Sequence, residues 1–355
     1  MSTVGGEKLG FPAGFRFIWR PEFITFQIET RARQPYTRAG IDSPGPEELR
    51  LAEHRSIGDG HLSGERFYAD GHPLDEVHYI EAKIILNGLR FTSVQSFKDF
   101  AKIVRKAAKR AGVDFETESC EGLRPQIREV LFLDTKDFAL YNNFFILRRR
   151  TSYEDGFPAG EPEIVFKFRH PDLDAASALD VRPSIQGAYR IKFKEEWLPR
   201  KDRIGGSRSL FSHNVEFKLN PLHFANDLTS SETLAEVFPA LQPLLSRTRR
   251  HLQLVNHTAV EEVLQQLGSL DFGKGFEAAS NVSVWRARGD HRQLVGEFSF
   301  QSKFQRREDL SAKALEKCAA FFALLQHEAQ DWVSLGVTKT AAVYRLKGNP
   351  PQSHE

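Results

Sequence analysis

Cysteine is scarce in this 355-residue chain: only Cys120 and Cys318 occur, far apart and with no CxxC pair. That spacing excludes a zinc ribbon and a thioredoxin-type site, and a chain long enough for a large core needs no disulfide scaffold. Net charge is scarce as well, since 49 Lys+Arg against 47 Asp+Glu leave +2. A general nucleic-acid binder carries a far more basic footprint. No apolar run approaches the roughly 18 residues of a membrane span. The opening stretch MSTVGGEKLGFPAGF has no unbroken apolar segment of the secretory kind. A soluble, cytoplasmic protein with no membrane partner is therefore expected. HExxH, GxSxG, a P-loop and a GxGxxG in a βαβ setting are all missing. What is present is ordinary for a folded chain: 40% hydrophobic and 27% charged residues, which excludes wholesale disorder.

Three regions follow from composition. Residues 1–75 begin with alternating Phe15, Phe17 and Trp19, then turn polar with six Gly and four Pro over 31–75. They read as an N-terminal extension, partly irregular or a packing arm. A main domain is expected over 76–348, with a short tail at 349–355. In the main domain, period-two alternation marks strands at 77–86, 163–169, 189–196, 214–219 and 294–304. Further strands are expected at 128–134, 143–150, 247–254 and 281–287, with a hairpin turn at the GD of 289–290. Helices are expected over 95–111, capped by Ser96 and ended by Gly112, and over 310–330. The second carries Leu315, Cys318, Phe322 and Leu325 as a core stripe. Helical turns are expected near 232–246 and 260–268.

The polar faces of the strands are the unusual feature. Opposite the apolar residues stand twelve cations: Lys83, Arg148, Arg150, Lys167, Arg169, Arg190, Lys192, Lys194, Lys218, Arg247, Arg249 and Lys303. Only five anions share these faces, namely Glu81, Glu163, Glu196, Glu216 and Glu297. A solvated sheet face normally mixes Thr, Ser and Glu with Lys, and like charges opposite one another destabilise a sheet. A closed barrel would turn these cations onto one cavity, whose low-dielectric walls would focus their field on a polyanion. Arg offers a fork to phosphate oxygens and Lys a point charge.

The residues also carry a resemblance. YIEAK (79–83) is similar to the ExExK motif of the CYTH, or triphosphate tunnel metalloenzyme, superfamily, with Tyr79 in place of the first Glu. LFLDTKDFALYNNFFILRRR (131–150) resembles that superfamily's segment in which an FDT element precedes an LRxR strand. KFR (167–169) resembles its next KxR strand, and GEFSFQ (296–301) falls where a late acidic ExE-type strand is expected, with Ser299 and Gln301 following Glu297.

The resemblance implies an α+β fold: a closed antiparallel β-barrel, about eight-stranded, with helices packed outside. It implies a divalent-metal-dependent phosphohydrolase, a triphosphatase-like hydrolase of inorganic triphosphate, polyphosphate or an organic triphosphate. Glu81 and Lys83 would be catalytic. The twelve cations, Lys83, Arg148, Arg150, Lys167 and Arg169 foremost, would bind the substrate. Glu81, Glu216 and Glu297 would hold Mg²⁺ or Mn²⁺. Nucleic acid would enter only as a 5′-triphosphate end. Tyr79, Ser299 and Gln301 thin the acidic half of the site. This leaves open an alternative, a non-catalytic tunnel that binds polyphosphate or a phosphorylated metabolite. Convergence of Glu81, Glu216 and Glu297 would separate the two.

Overall fold

A computed structural model describes residues 66–117, 122, 124–218, 230–245 and 251–347. The chain divides into two compact units, Met1–Ser63 and Gly64–Glu355, and the described residues all belong to the second.

Among the described residues eleven strands form one sheet. They are β1 (Tyr79–Leu86), β2 (Asp114–Glu116), β3 (Gln126–Asp134), β4 (Phe145–Glu154), β5 (Phe157–His170) and β6 (Arg190–Pro199). The others are β7 (Ser207–Lys218), β8 (Gln253–Leu254), β9 (Val260–Asp271), β10 (Glu277–Ala287) and β11 (Gln293–Lys303). The helices are α1 (Val94–Ala111), α2 (Ala139–Asn142), α3 (Leu173–Ala178), α4 (Ser231–Val237), α5 (Gln242–Leu245), α6 (Ala312–Glu328) and α7 (Lys339–Tyr344).

Nine strands close on themselves in the order β1, β6, β7, β5, β4, β3, β9, β10, β11 and back to β1. The fold is the closed, helix-covered α+β barrel that the sequence predicts. It has nine strands in the ring, and one neighbour pair, β1 with β6, runs parallel. β2 lies outside the ring along β9, and β8 extends β3.

Closure works because each ring strand has two usable faces. On the outside, Ile80, Ala82, Ile84, Phe298 and Phe300 pack against Phe97, Phe100 and Val104 of α1 and Cys318, Phe321 and Phe322 of α6. Phe145, Leu147, Ile164, Phe166 and Phe217 pack beneath α4 and α5 in a second cluster. The helical stripe of α6 is core, as its spacing predicts. α1 ends where Gly112, at φ 65°, closes the last turn by donating to Ala108 and Lys109. Its N-cap is Ser93; Ser96, predicted to cap, lies inside the first turn and accepts from the Thr92 amide at 3.2 Å.

One prediction is corrected. Residues 260–268 are strand, not helix. Val260, Val263, Leu264 and Leu267 have helical spacing, but the segment is paired on both sides, by β10 and by β3, and tertiary pairing overrides the local pattern. At Gly268 the strand meets β2 so closely that a Cβ would fall 2.0 Å from the Glu116 carbonyl oxygen. Of the strand expected over 247–254, residues 247–250 lie outside the described residues; Gln253–Leu254 form β8, and a 3₁₀ helix (Val255–His257) with Asn256 and His257 at positive φ follows.

One end of the barrel is filled. Ile85, Val130, Phe132, Ile146, Trp285 and Val295 turn inward and pack with Val343 and Tyr344 of α7. Tyr344 stacks on Tyr141 with ring centroids 4.1 Å apart, and Asn256 Nδ2 donates to the carbonyls of Val343 and Tyr344 at 2.7 and 2.9 Å. α7 is thus anchored as a floor.

Phe100 is fully buried between Phe298 and Trp332, at 5.7 and 5.4 Å. Phe100→Ala should cost about 3–5 kcal/mol by cavity formation. Urea unfolding measures it, and a loss under about 1 kcal/mol would contradict this packing of α1 on the barrel.

Candidate functional site: the barrel lumen

Strand register decides which side chains share the lumen, since directly paired residues project to the same side of a sheet. Lys83 pairs with Ser299, Glu81 with Gln301 and Glu196, and Tyr79 with Lys303 and Lys194. Arg190 pairs with Glu216, Glu163 with Lys218 and Arg150, and Ile146 with Lys167. Ten of the twelve predicted cations therefore lie on the inner face: Lys83, Arg148, Arg150, Lys167, Arg169, Arg190, Lys192, Lys194, Lys218 and Lys303. Arg247 and Arg249 fall outside the described residues. All five anions counted with them, Glu81, Glu163, Glu196, Glu216 and Glu297, are inside as well.

The cations are graded by depth. Lys83, Lys167, Arg169 and Lys194 are buried. Arg148, Arg150 and Lys192 are partly buried, and Arg190, Lys218 and Lys303 are exposed at the open rim. At the centre sits Glu196, 0% exposed. Its carboxylate lies 2.8 Å from Lys83 Nζ, 3.2 Å from Lys167 Nζ and 3.2 Å from Arg169 Nε. Burial opposes ionisation, yet Arg169, Lys167 and Lys83 hold this carboxyl well below the usual range. Lys167 moves the other way: burial, then the charges of Arg169, Lys83 and Arg148, depress it well below an ordinary lysine despite Glu196.

Further out, Glu81 bridges Lys83 and Lys194, both at 3.1 Å, and Lys194 also donates to Gln301 Oε1 at 2.6 Å. Glu216 takes Arg190 at 2.7 Å and Lys192 at 2.8 Å. Its carboxyl is lowered to about 2; burial works against this and is outweighed, chiefly by Lys192. Arg150 pairs with Glu163 at 2.9 Å. Arg148 differs: its Nε, like that of Arg150, has no acceptor, and among the described residues no carboxylate pairs with its guanidinium as Glu163 does with Arg150. Burial and the adjacent Arg150 lower its guanidinium to about 10. Tyr79, standing where the resembled motif has a carboxylate, presents its ring to Lys194 and Lys303 at 5.8 and 6.0 Å, a cation–π contact.

Glu81, Glu216 and Glu297 do not converge. Glu81 and Glu216 are each held by their own cations, and Glu297 by Lys339 of α7 at 2.8 Å. Among the described residues no group of three His, Cys, Asp or Glu could hold a metal ion. As arranged, these three carboxylates do not fit a shared Mg²⁺ or Mn²⁺.

Four lumen residues escape the sequence reading. Glu262 is buried, bound to Arg128 at 2.8 Å and to Trp285 Nε1 at 2.9 Å. It was hidden because its strand has helical spacing. Arg128 was legible from parity, since it alternates with Val130 and Phe132. Lys339 has no local signal, being on a six-residue helix far along the chain. Asp134, the acid of the LFLDT stretch, is buried below the lumen and accepts from the amides of Thr135, Leu140 and Tyr141 and from the Tyr344 hydroxyl. It starts α2 and ties α7 to the barrel.

An open cleft of about 640 Å³ is lined in part by Arg124, Arg128, Glu129, Tyr153, Glu261 and Arg288. Arg288 is already paired with Glu129 and donates to the Tyr153 hydroxyl. No described helix is long and apolar enough to cross a membrane.

No protein-family profile and no curated protein matches the sequence. Among solved structures, the chain is similar to an adenylyl-cyclase-type protein from Hippeastrum, described as having a dominant triphosphatase activity. The two share 12% identity with a TM-score of 0.37, over 77% of this chain and 98% of that one. A Bacillus halodurans protein described as an adenylate cyclase shares 11% identity with a TM-score of 0.32, over 75% and 96%. A Pyrococcus horikoshii protein gives 12% and 0.30, over 73% and 92%. At such identities and scores these likenesses carry no argument about activity.

Two outcomes follow from the site. Glu196→Ala leaves three buried cations uncompensated and should destabilise the fold by about 3–5 kcal/mol; a loss below about 1 kcal/mol in chemical denaturation would contradict its central place. Burial pushes the Asp134 carboxyl up from 3.8 to about 6 against its backbone donors. The folded state then holds more protons than the unfolded one in that interval, so Asp134's contribution to stability falls as pH rises from 3.8 to about 6. Stability curves of wild type and Asp134→Asn should therefore differ in slope over that window, and parallel curves would contradict it.

Proposed function

We propose that the lumen binds a linear phosphoanhydride chain, an inorganic triphosphate, a polyphosphate or the triphosphate of a small organic molecule. The observation that supports this best is the graded column of cations, from exposed Arg190, Lys218 and Lys303 to buried Lys83, Lys167 and Arg169. A rigid monoanion needs few donors. A column of ten across six strands suits charge repeated along a chain, and Arg148, with an unbonded Nε and no carboxylate partner among the described residues where Arg150 has Glu163, is the guanidinium best prepared to receive an oxygen. In a confined lumen, a pair of charges about 4 Å apart gains about 4 kcal/mol, against about 1 kcal/mol in water.

Capture needs exchange rather than simple filling. The lysines are now neutralised by internal carboxylates, and a phosphate chain would take them over. Each Glu released would then be free. That supports a second reading, divalent-metal-dependent hydrolysis with Glu81 and Lys83 at the reacting phosphate. Phosphoryl transfer asks mainly for positioning and charge neutralisation, and the lumen supplies both. The resemblance of 79–83 and 131–150 to triphosphate tunnel proteins favours the same substrate class. A cytoplasmic setting agrees with that class of ligand.

Isothermal titration with tripolyphosphate tests the proposal. Binding should weaken steeply with salt, and Arg148→Ala should lower affinity about tenfold or more. Affinity insensitive to both salt and Arg148→Ala would contradict it. Phosphate release that appears only with Mg²⁺ or Mn²⁺ would establish the hydrolytic reading.

A further inference from the structure

The wall of the lumen formed by β10 and β11 carries hydrogen-bond donors that no described residue uses. In the nine-strand ring, β11 lies four strands from β5 through β1, β6 and β7, and four from β4 through β10, β9 and β3. This wall therefore faces Arg148, Lys167 and Arg169 across the lumen. Inward of Lys303, the ladders set Gln301 beside Glu81, and Ser299 between Lys83 and Asn281. Gln301, Ser299 and Asn281 thus share the inner face.

The orientation of these amides follows from what their partners can do. Lys194 Nζ lies 2.6 Å from Gln301 Oε1. An ammonium only donates, so the Gln301 oxygen must lie on that side and its nitrogen on the other. The Ser299 hydroxyl donates to Asn281 Oδ1 at 3.1 Å, which turns the Asn281 nitrogen away from Ser299 in the same manner. Among the described residues neither amide nitrogen has an acceptor. Both side chains are partly buried on the inner face, so the two nitrogens open onto the lumen.

Most lumen cations are spent on carboxylates of the chain itself: Lys83 and Lys167 on Glu196, Lys192 on Glu216, Arg150 on Glu163. The two amides are not spent. A phosphate oxygen is an acceptor, and a neutral N–H that meets a charged acceptor in a lumen screened from water makes one of the stronger hydrogen bonds. Cations on one side alone would draw a chain against their own wall; donors opposite would hold it between the two. We propose that Gln301 and Asn281 donate to the non-bridging oxygens of the phosphate chain, and that the lumen takes this chain free of metal rather than as its Mg²⁺ chelate. A bound Mg²⁺ occupies the oxygens that the amides address, keeps several of its own waters, and cancels part of the negative charge on which the cations act. The inference rests on the lumen-binding reading and narrows its ligand to the metal-free anion.

The experiment is calorimetric titration of the full-length chain with tripolyphosphate, in EDTA and in excess Mg²⁺, over a series of salt concentrations. Wild type should bind in EDTA, and Mg²⁺ should weaken binding about tenfold or more. Gln301→Met and Asn281→Leu keep the side-chain size and lack the donor. Each should lower affinity in EDTA about tenfold and leave the salt dependence of wild type unchanged, because no charge is lost. Lys194→Met, the control, should lower affinity and flatten the salt dependence. If Gln301→Met does not fold, Gln301→Ala takes its place with the same expected result. Binding that requires Mg²⁺, unchanged affinity in either amide variant, or a salt dependence flattened by Gln301→Met as by Lys194→Met would each overturn the inference; the last result would make Gln301 a support for Lys194 only. Absence of binding by wild type in both media would instead overturn the lumen-binding reading, and the inference with it.

Discussion

Glu196 is the interaction on which the lumen depends. Three cations from two strands, Lys83 of β1 with Lys167 and Arg169 of β5, meet on one carboxylate of β6 that has no exposure to solvent. Without it, closing the barrel would press like charges together where little water can screen them. β6 also makes the parallel pairing with β1, so the ion cluster lies at the seam where the ring changes strand direction. The same pattern repeats outward with Glu81 and Glu216, each gripped by two cations. The barrel is in effect closed around its own counterions. Desolvating so many ions is costly, and replacing such pairs by apolar groups is often neutral or stabilising. Their presence in a lumen, rather than in the two aromatic cores outside, points to a ligand more than to stability.

The near-neutral net charge conceals this sorting. A total of +2 would exclude a polyanionic partner only if charge were spread evenly. The strands separate it, with cations inside and exterior acids such as Glu129, Glu261 and Glu328 in pairs with surface arginines and lysines. The floor of the lumen is apolar and sealed by α7, which makes one end the entrance. Exposed Arg190, Lys218 and Lys303 at the rim and buried lysines below give an approaching anion a path of rising positive potential and falling solvation.

Alternation carried most of this into the sequence. Period two in 163–169 and 190–196 decided which side chains face the lumen before any pairing was known, because a strand has only two faces. The closed barrel came from the resemblance of 79–83 and 131–150 to tunnel proteins, with which the cationic strand faces agree. What was not legible depended on partners distant in sequence. Glu262 was missed because Val260, Val263 and Leu267 mimic a helix face until β10 and β3 claim the segment. Lys339 could not be found from its neighbours, since its place is set by Tyr344, Asn256 and Asp134. The count of strands and the parallel β1–β6 pair likewise depend on where the chain crosses, which alternation does not encode. Parity placed Glu81, Glu216 and Glu297 on the inner face; it could not say that each lies beside a different cation.

A crystal structure of the protein soaked with tripolyphosphate tests the central claim most directly. The account predicts phosphate density inside the barrel, along Arg148, Lys167, Arg169, Lys83 and Lys194, with Glu81 or Glu196 displaced from at least one of its lysines. Phosphates found only on the outside of the barrel, with the lumen ion pairs unchanged, would contradict it.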